Sequence, residues 1–190
     1  MPPVNPYATG VLLPSRHAGL VEKLPLYAAD AGISPEHVWT SMRNTEITAG
    51  EIEYFVNFKR NVTNRIYGLV LVGDDPQRDI IKTMSLMAGL LTRNYTRARI
   101  MVLAELMDHL EEQRYPDHTC ILIPDFYLSI ANPGEVPKDW VSRLTSLLLD
   151  RSARGLQTVL QVSSMDELKL AYGGLITQHL KSHFQFVDLS

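Results

Sequence analysis

The sequence predicts an α/β fold: a parallel five-stranded sheet sandwiched by helices, preceded by a small helical region. Three observations lead there. Short continuous apolar runs start at Gly68 and recur to the end of the chain, as strands buried on both faces do. Stretches of helical periodicity separate these runs, so strand and helix alternate. Before Gly68 there are helix-start signals but no such run.

Residues 1–16 hold Pro2, Pro3, Pro6 and Pro14 and read as an irregular arm. His17 to Ala29 carries Leu20, Val21, Leu24 and Ala28 at helical spacing, and Pro25 is expected to kink or split that helix. Ser34-Pro35 marks a second start, with Ser34 as cap, Pro35 in the first helical position, and Ile33 and Val38 as a hydrophobic staple. Thr48-Ala49-Gly50-Glu51 is a capping box, with Ile47 and Ile52 as its staple. Its helix should run to about Asn61 with Ile52, Phe55, Val56 and Lys59 along one side. Residues 17–62 thus form the helical region and residues 63–190 the α/β domain, with no separate lid after it.

Strands are expected at Leu69–Val72, Ile100–Leu103, Cys120–Ile123, Thr158–Val162 and Phe184–Val187. Helices fall at about 79–93, 105–113, 137–152 and 165–182, the last broken at Gly173-Gly174. Ser164 to Glu167 reads as a further capping box, and Trp140, Leu144, Leu147 and Leu148 form one apolar helix face. Parallel sheets bind ligands beyond the carboxyl ends of their strands, here Gly73 onward, Ala104, Asp125 and Ser163.

Composition narrows the class of function. Lys plus Arg number 18 against 21 Asp plus Glu, which excludes a strongly basic nucleic-acid binder as the simplest reading while leaving room for a local patch. Hydrophobic residues at 45% argue against wholesale disorder. The single cysteine, Cys120, forms neither an internal disulfide nor a cysteine metal cage, and fits a reducing, cytoplasmic compartment. No apolar run approaches the ~20 residues that span a bilayer. Met1 to Pro6 lacks the basic and apolar regions of a signal peptide.

The segment from Gly68 to Asp79 follows the first strand and opens a helix, where a phosphate-binding loop belongs. A working loop reads G-x-x-x-x-G-K-[ST], its glycines letting backbone N–H groups wrap the phosphates and its lysine neutralising them. Counting from Gly73, the second glycine falls on Arg78, the lysine on Asp79 and the hydroxyl on Ile80. Asp74, Asp75 and Asp79 bring three carboxylates where a polyphosphate would lie. Lys82-Thr83 stands three residues late and would serve only if the loop were re-registered; otherwise it is ordinary helix.

From about residue 60 to 190 the chain resembles the DnaC/IstB-like branch of the AAA+ P-loop NTPases, the helicase loaders and transposition helper ATPases. The stretch Gly68 to Thr83 resembles a worn form of that family's phosphate loop. Leu122-Ile123-Pro124-Asp125-Phe126 resembles its Walker B strand, with Pro124 in place of the metal-side acid and the second acid retained as Asp125. By the same resemblance Arg151 matches an arginine finger that reaches a neighbour's nucleotide, Ser163 the polar sensor, and His179 the sensor-two arginine. For Arg151 the other reading is an ion pair or a solvated helix end.

The resemblance implies a degenerate member, from a phage or mobile element, acting as a binding or adaptor module in DNA replication or transposition with lost or weak ATPase activity. Its partner would be a replicative helicase or another replication or transposition protein, bound through residues 1–62. No cofactor is implied; ATP and Mg²⁺ enter only with a re-registered loop using Lys82, Thr83 and Asp125. That active ATPase is one alternative, and a structural subunit of a homo-oligomer is another.

A basic cluster, Lys59, Arg60 and Arg65 with Arg93, Arg97 and Arg99, precedes the first two strands, with Tyr67 and Tyr95 nearby. It reads either as a single-stranded nucleic-acid surface or as solvated loop charge. His179 and His183 share a helix face, but no third metal ligand accompanies them, so no metal site is expected. The long connection from Phe126 to Pro137 reads as a partner-contacting loop or a plain insertion.

Overall fold

A computed structural model describes residues 5–42, 47–126 and 136–189, so most of the Phe126–Pro137 connection lies outside the described residues. Five strands form one all-parallel sheet in the order β2-β3-β4-β1-β5. They are β1 (Gly68–Val72), β2 (Ala98–Ile100), β3 (Cys120–Ile123), β4 (Gln157–Val162) and β5 (Phe184–Asp188). The sheet is the α/β architecture expected from the apolar runs. β4 lies between β1 and β3, so the loops leaving these three strands converge on one edge.

Alternation along each strand divides the core into two. Val70, Ile121, Ile123, Leu160 and Val162 face a layer built with Leu106, Leu147, Leu148 and Leu180. Leu69, Leu71, Cys120, Leu122 and Val159 face the other layer, with Tyr54, Phe58, Met84 and Met87. The first layer is supplied by α7 (Leu103–Glu111), α8 (Lys138–Ala153) and α9 (Met165–His183), the second by α4 (Ala49–Val56), α5 (Phe58–Asn61) and α6 (Ile80–Arg93). Tyr54 and Phe58 therefore belong to the same core as the sheet, not to a core of their own. Burial of both sheet faces in apolar side chains is the main favourable term.

Several boundaries differ from the sequence expectation. The first helix divides at Lys23 into α1 (Pro14–Glu22) and α2 (Leu24–Ala31), and Pro25 sits in the first turn of α2, where its missing N–H costs nothing. The expected arm is partly packed: Leu12 is buried in a small cluster with Leu20, Leu24 and Val38. α3 (Glu36–Trp39) is a single turn capped by Pro35, not Ser34, although Ile33 and Val38 do pack in one cluster. β2 starts at Ala98, and Leu103, expected within it, opens α7. α9 breaks at Gly173, whose φ of 79° and ψ of −176° suit only glycine. Among the described residues no helix is long and apolar enough to cross a membrane.

The capping box at Thr48 forms, Thr48 accepting from the Glu51 N–H and Glu51 accepting from the Thr48 N–H. The face that α4 and α5 bury is a correction, however. Glu51, Tyr54, Phe58 and Asn61 point inward, whereas Ile52 and Val56 are 54% and 77% exposed. Polar partners explain the inversion. The Tyr54 hydroxyl donates to Gln157 Oε1 at 2.7 Å, Asn61 Nδ2 donates to the Tyr54 carbonyl at 3.1 Å, and Gln157 Nε2 donates to the Phe58 carbonyl at 2.9 Å. Buried polar groups that are paired carry little penalty, and a count of apolar positions does not see the partners.

Candidate functional site

Beyond the carboxyl ends of β1, β3 and β4 lies a cavity of about 270 Å³ lined by Gly73, Asp74, Asp75, Arg78, Asp125 and Gln161, among others. The loop after β1 turns at Gly73, with φ of 113°. Three of its N–H groups are spent on the chain's own oxygens. Gly73 N–H donates to the Val162 carbonyl at 2.8 Å, and Arg78 N–H to the Asp75 carbonyl at 3.0 Å. Gln77 N–H donates to Asp75 Oδ1 at 2.9 Å. At the start of α6, Asp79 is the N-cap and its Oδ1 accepts from the Lys82 N–H at 2.9 Å. A carboxylate of the chain thus takes the position at the helix N-terminus that suits an anion.

Gln161 stitches the three strand ends together. Its Nε2 donates to Asp74 Oδ1 at 2.8 Å and to the Gly73 carbonyl at 3.1 Å, and its Oε1 accepts from the Asp125 N–H at 3.1 Å. Arg78 turns away from the cavity's carboxylates into a bidentate ion pair with Glu51 of α4. Both side chains are almost wholly buried, at 5% and 0% exposure. Glu51 also accepts from the Thr48 hydroxyl and N–H at 2.9 Å and 2.8 Å, so this carboxylate is saturated. A buried pair of this kind has to be held with good geometry, because breaking it leaves an uncompensated charge. Arg78, Glu51 and Gln161 were not marked as site residues by the sequence. The one available signal was a glutamine inside the apolar run at 158–162.

The positions singled out in the sequence separate. Gly73 and Asp125 line the cavity, and Asp125 holds a left-handed backbone with φ of 51°. Lys82 and Thr83 lie in the first turns of α6 outside the lining; Lys82 is exposed and Thr83 is buried. Ser163 pairs with the Glu167 carboxylate, while Glu167 N–H donates to Ser164 Oγ at 3.1 Å. His179 sits between α8 and α9, its Nε2 3.0 Å from Ser152 Oγ and its ring 5.0 Å from that of His183. Burial, with the His183 charge adding to it, pushes its pKa down, so it is neutral where an arginine would be charged.

Arg151 is interior, at 1% exposure. Its Nε donates to Thr158 Oγ1 at 3.0 Å, and its terminal nitrogens donate to the carbonyls of Pro116, His118 and Gln157 at 2.8, 3.0 and 2.7 Å. It is neither a surface finger nor a solvated helix end, but the tie between the starts of β3 and β4. Burial lowers its pKa to about 10, which leaves it charged at neutral pH.

The basic cluster also divides. Arg93 donates to the carbonyls of Val38 and Thr40, Arg97 is paired with Asp30 and Asp117, and Arg99 is paired with Glu105. Lys59, Arg60 and Arg65 are exposed. The six therefore do not make one continuous cationic surface.

A magnesium-bound triphosphate is a poor match for these residues. Among the described residues the cavity carries Asp74, Asp75 and Asp125, its one cation is committed to Glu51, and the Pro124 side chain offers no metal ligand. Transfer of a phosphoryl group depends on positive charge and donors at this place.

The backbone nevertheless has the fold of the AAA+ P-loop NTPases. The chain is similar to a crystal structure of DnaI, with a TM-score of 0.58 and 14% identity over 83% of this chain and 92% of that one. It is also similar to a DNA replication initiation factor, with a TM-score of 0.58 and 10% identity over 82% of this chain and 50% of that one. A replication initiator DnaA, bound to AMPPCP and single-stranded DNA, has a TM-score of 0.56 and 9% identity over 78% of this chain and 49% of that one. The chain thus spans about half the length of the last two. No protein-family model and no curated protein sequence matches it.

Proposed function

We propose that this chain is a degenerate helicase-loader-like protein, a binding or adaptor module in DNA replication or transposition that hydrolyses no ATP. The observation that carries the reading is the closed phosphate loop. The Gly73, Gln77 and Arg78 N–H groups donate to the chain's own oxygens, Asp79 caps the helix, and Arg78 is locked to Glu51. The scaffold supports the replication half of the reading, since solved structures of like fold include a replication initiator and a replication initiation factor. Its partner is a replicative helicase or another protein of replication or transposition, in the cytoplasm, and it needs no cofactor. The helices before β1 are the docking elements, because they carry apolar side chains that the core does not use.

The test is affinity capture by the full chain from a host lysate, with the captured proteins identified by mass spectrometry. A helicase, polymerase or transposition component is expected and should remain bound when ATP is depleted. Recovery of none, or phosphate release by the purified chain that disappears in Lys82→Ala, contradicts the proposal.

A further inference from the structure

A cavity larger than the strand-end site lies elsewhere in the described structure. It is an open groove of about 620 Å³ between α4, α5 and the end of α6. Ile52 and Val56 of α4, one helical turn apart, stand exposed on one wall, and Leu90 and Leu91 of α6 form the other. Phe55 lies in the lining with its ring stacked on that of Phe58 at 6.4 Å. An apolar surface of this kind, continuous over two helices, costs solubility unless something covers it.

The rim selects the occupant. Arg16, Lys59 and Arg60 contribute three cations to the lining. Among the described residues none of the three is in an ion pair, Arg16 donating only to the neutral Asn94 Oδ1 at 3.3 Å. Among the described residues Glu51 is the single acid of the lining, and its charge is cancelled by Arg78. We propose that the groove binds an amphipathic helix of a partner protein whose apolar edge is flanked by Asp or Glu. The proposal rests on the reading of the chain as an adaptor. A helix of this type places side chains at i, i+3, i+4 and i+7 into a groove while its flanks meet the rim. Single-stranded nucleic acid fits less well. The exposed wall is aliphatic, Phe55 is stacked against Phe58, which is buried at 6% exposure, and Arg93, Arg97 and Arg99 are engaged elsewhere.

Fluorescence anisotropy with the full chain tests this. One fluorescein-labelled peptide of about 18 residues carries leucines at those spacings with glutamates beside them. A second replaces each glutamate by lysine, and a third probe is an oligothymidine of about 20 nucleotides. The glutamate peptide is expected to bind at least about tenfold more tightly than the lysine peptide. Val56→Asp, at a position 77% exposed, should weaken it about tenfold without changing the melting curve. The double variant Lys59→Glu, Arg60→Glu should reverse the preference between the peptides. Equal binding of both peptides, or indifference to Val56→Asp, overturns the proposal. Oligothymidine bound more tightly than either peptide, and released by the double variant, overturns it in favour of nucleic acid. Capture of a replication protein that survives Val56→Asp sinks the groove but leaves the adaptor reading. Peptide binding as predicted without any such capture sinks the adaptor reading but leaves the groove.

Discussion

Arg151 shows what one buried cation does in this molecule. Its guanidinium joins residues 116–118 to the first two residues of β4 through four hydrogen bonds, with no carboxylate among its partners. Arg151→Ala would strand three carbonyls away from water and open a cavity, a loss of about 3 kcal/mol or more. We expect the urea midpoint to fall accordingly. Arg151→Lys should recover only part of it, because a lysine cannot reproduce the planar fork. Unchanged stability in Arg151→Ala would restore the finger reading. The sequence pointed to this residue but not to its role. An arginine near a helix C-terminus looks the same whether it turns outward or inward, and the difference is fixed by carbonyls six and 35 residues away along the chain. Asp74, Asp75 and Asp79 were readable because their meaning depends only on their place after β1. Gln161, the partner of Asp74, and the Arg78–Glu51 pair were not, since those contacts cross 87 and 27 residues.

At the scale of elements, most local signals held, the Ser34 cap being an exception, and lateral ones did not. The Thr48 capping box and the Gly173 break are decided by residues within one turn, and both form. Which side of α4 is buried is decided by Gln157 and Arg78, so the apolar count inverted it. The packing of α3 on α6 depends on Gly89, where an added Cβ would lie 2.2 Å from the His37 carbonyl oxygen. Helix propensity alone says that Gly89→Ala stabilises by up to about 1 kcal/mol. The close approach of two backbones says the reverse, a loss of about 1–3 kcal/mol. Thermal or urea unfolding of the variant reads the sign directly. Stabilisation would mean that α3 does not sit on α6 as described.

Over the whole molecule, strand alternation made the α/β class readable, because a run of residues buried on both faces has no other simple explanation. The strand order and the merging of the N-terminal helices with the sheet's second layer were not readable, since both depend on non-local packing. The outcome is a P-loop NTPase-like fold whose strand-end loop is held by its own side chains and whose N-terminal helices border an open, largely apolar groove. The two are linked through Glu51, which lines the groove and holds the loop residue Arg78. Titration calorimetry of the full chain with ATP and Mg²⁺ tests the closed site most directly. No heat beyond dilution is expected at ATP concentrations up to about 1 mM, weaker than about −4 kcal/mol of binding; saturable binding in the micromolar range would contradict it.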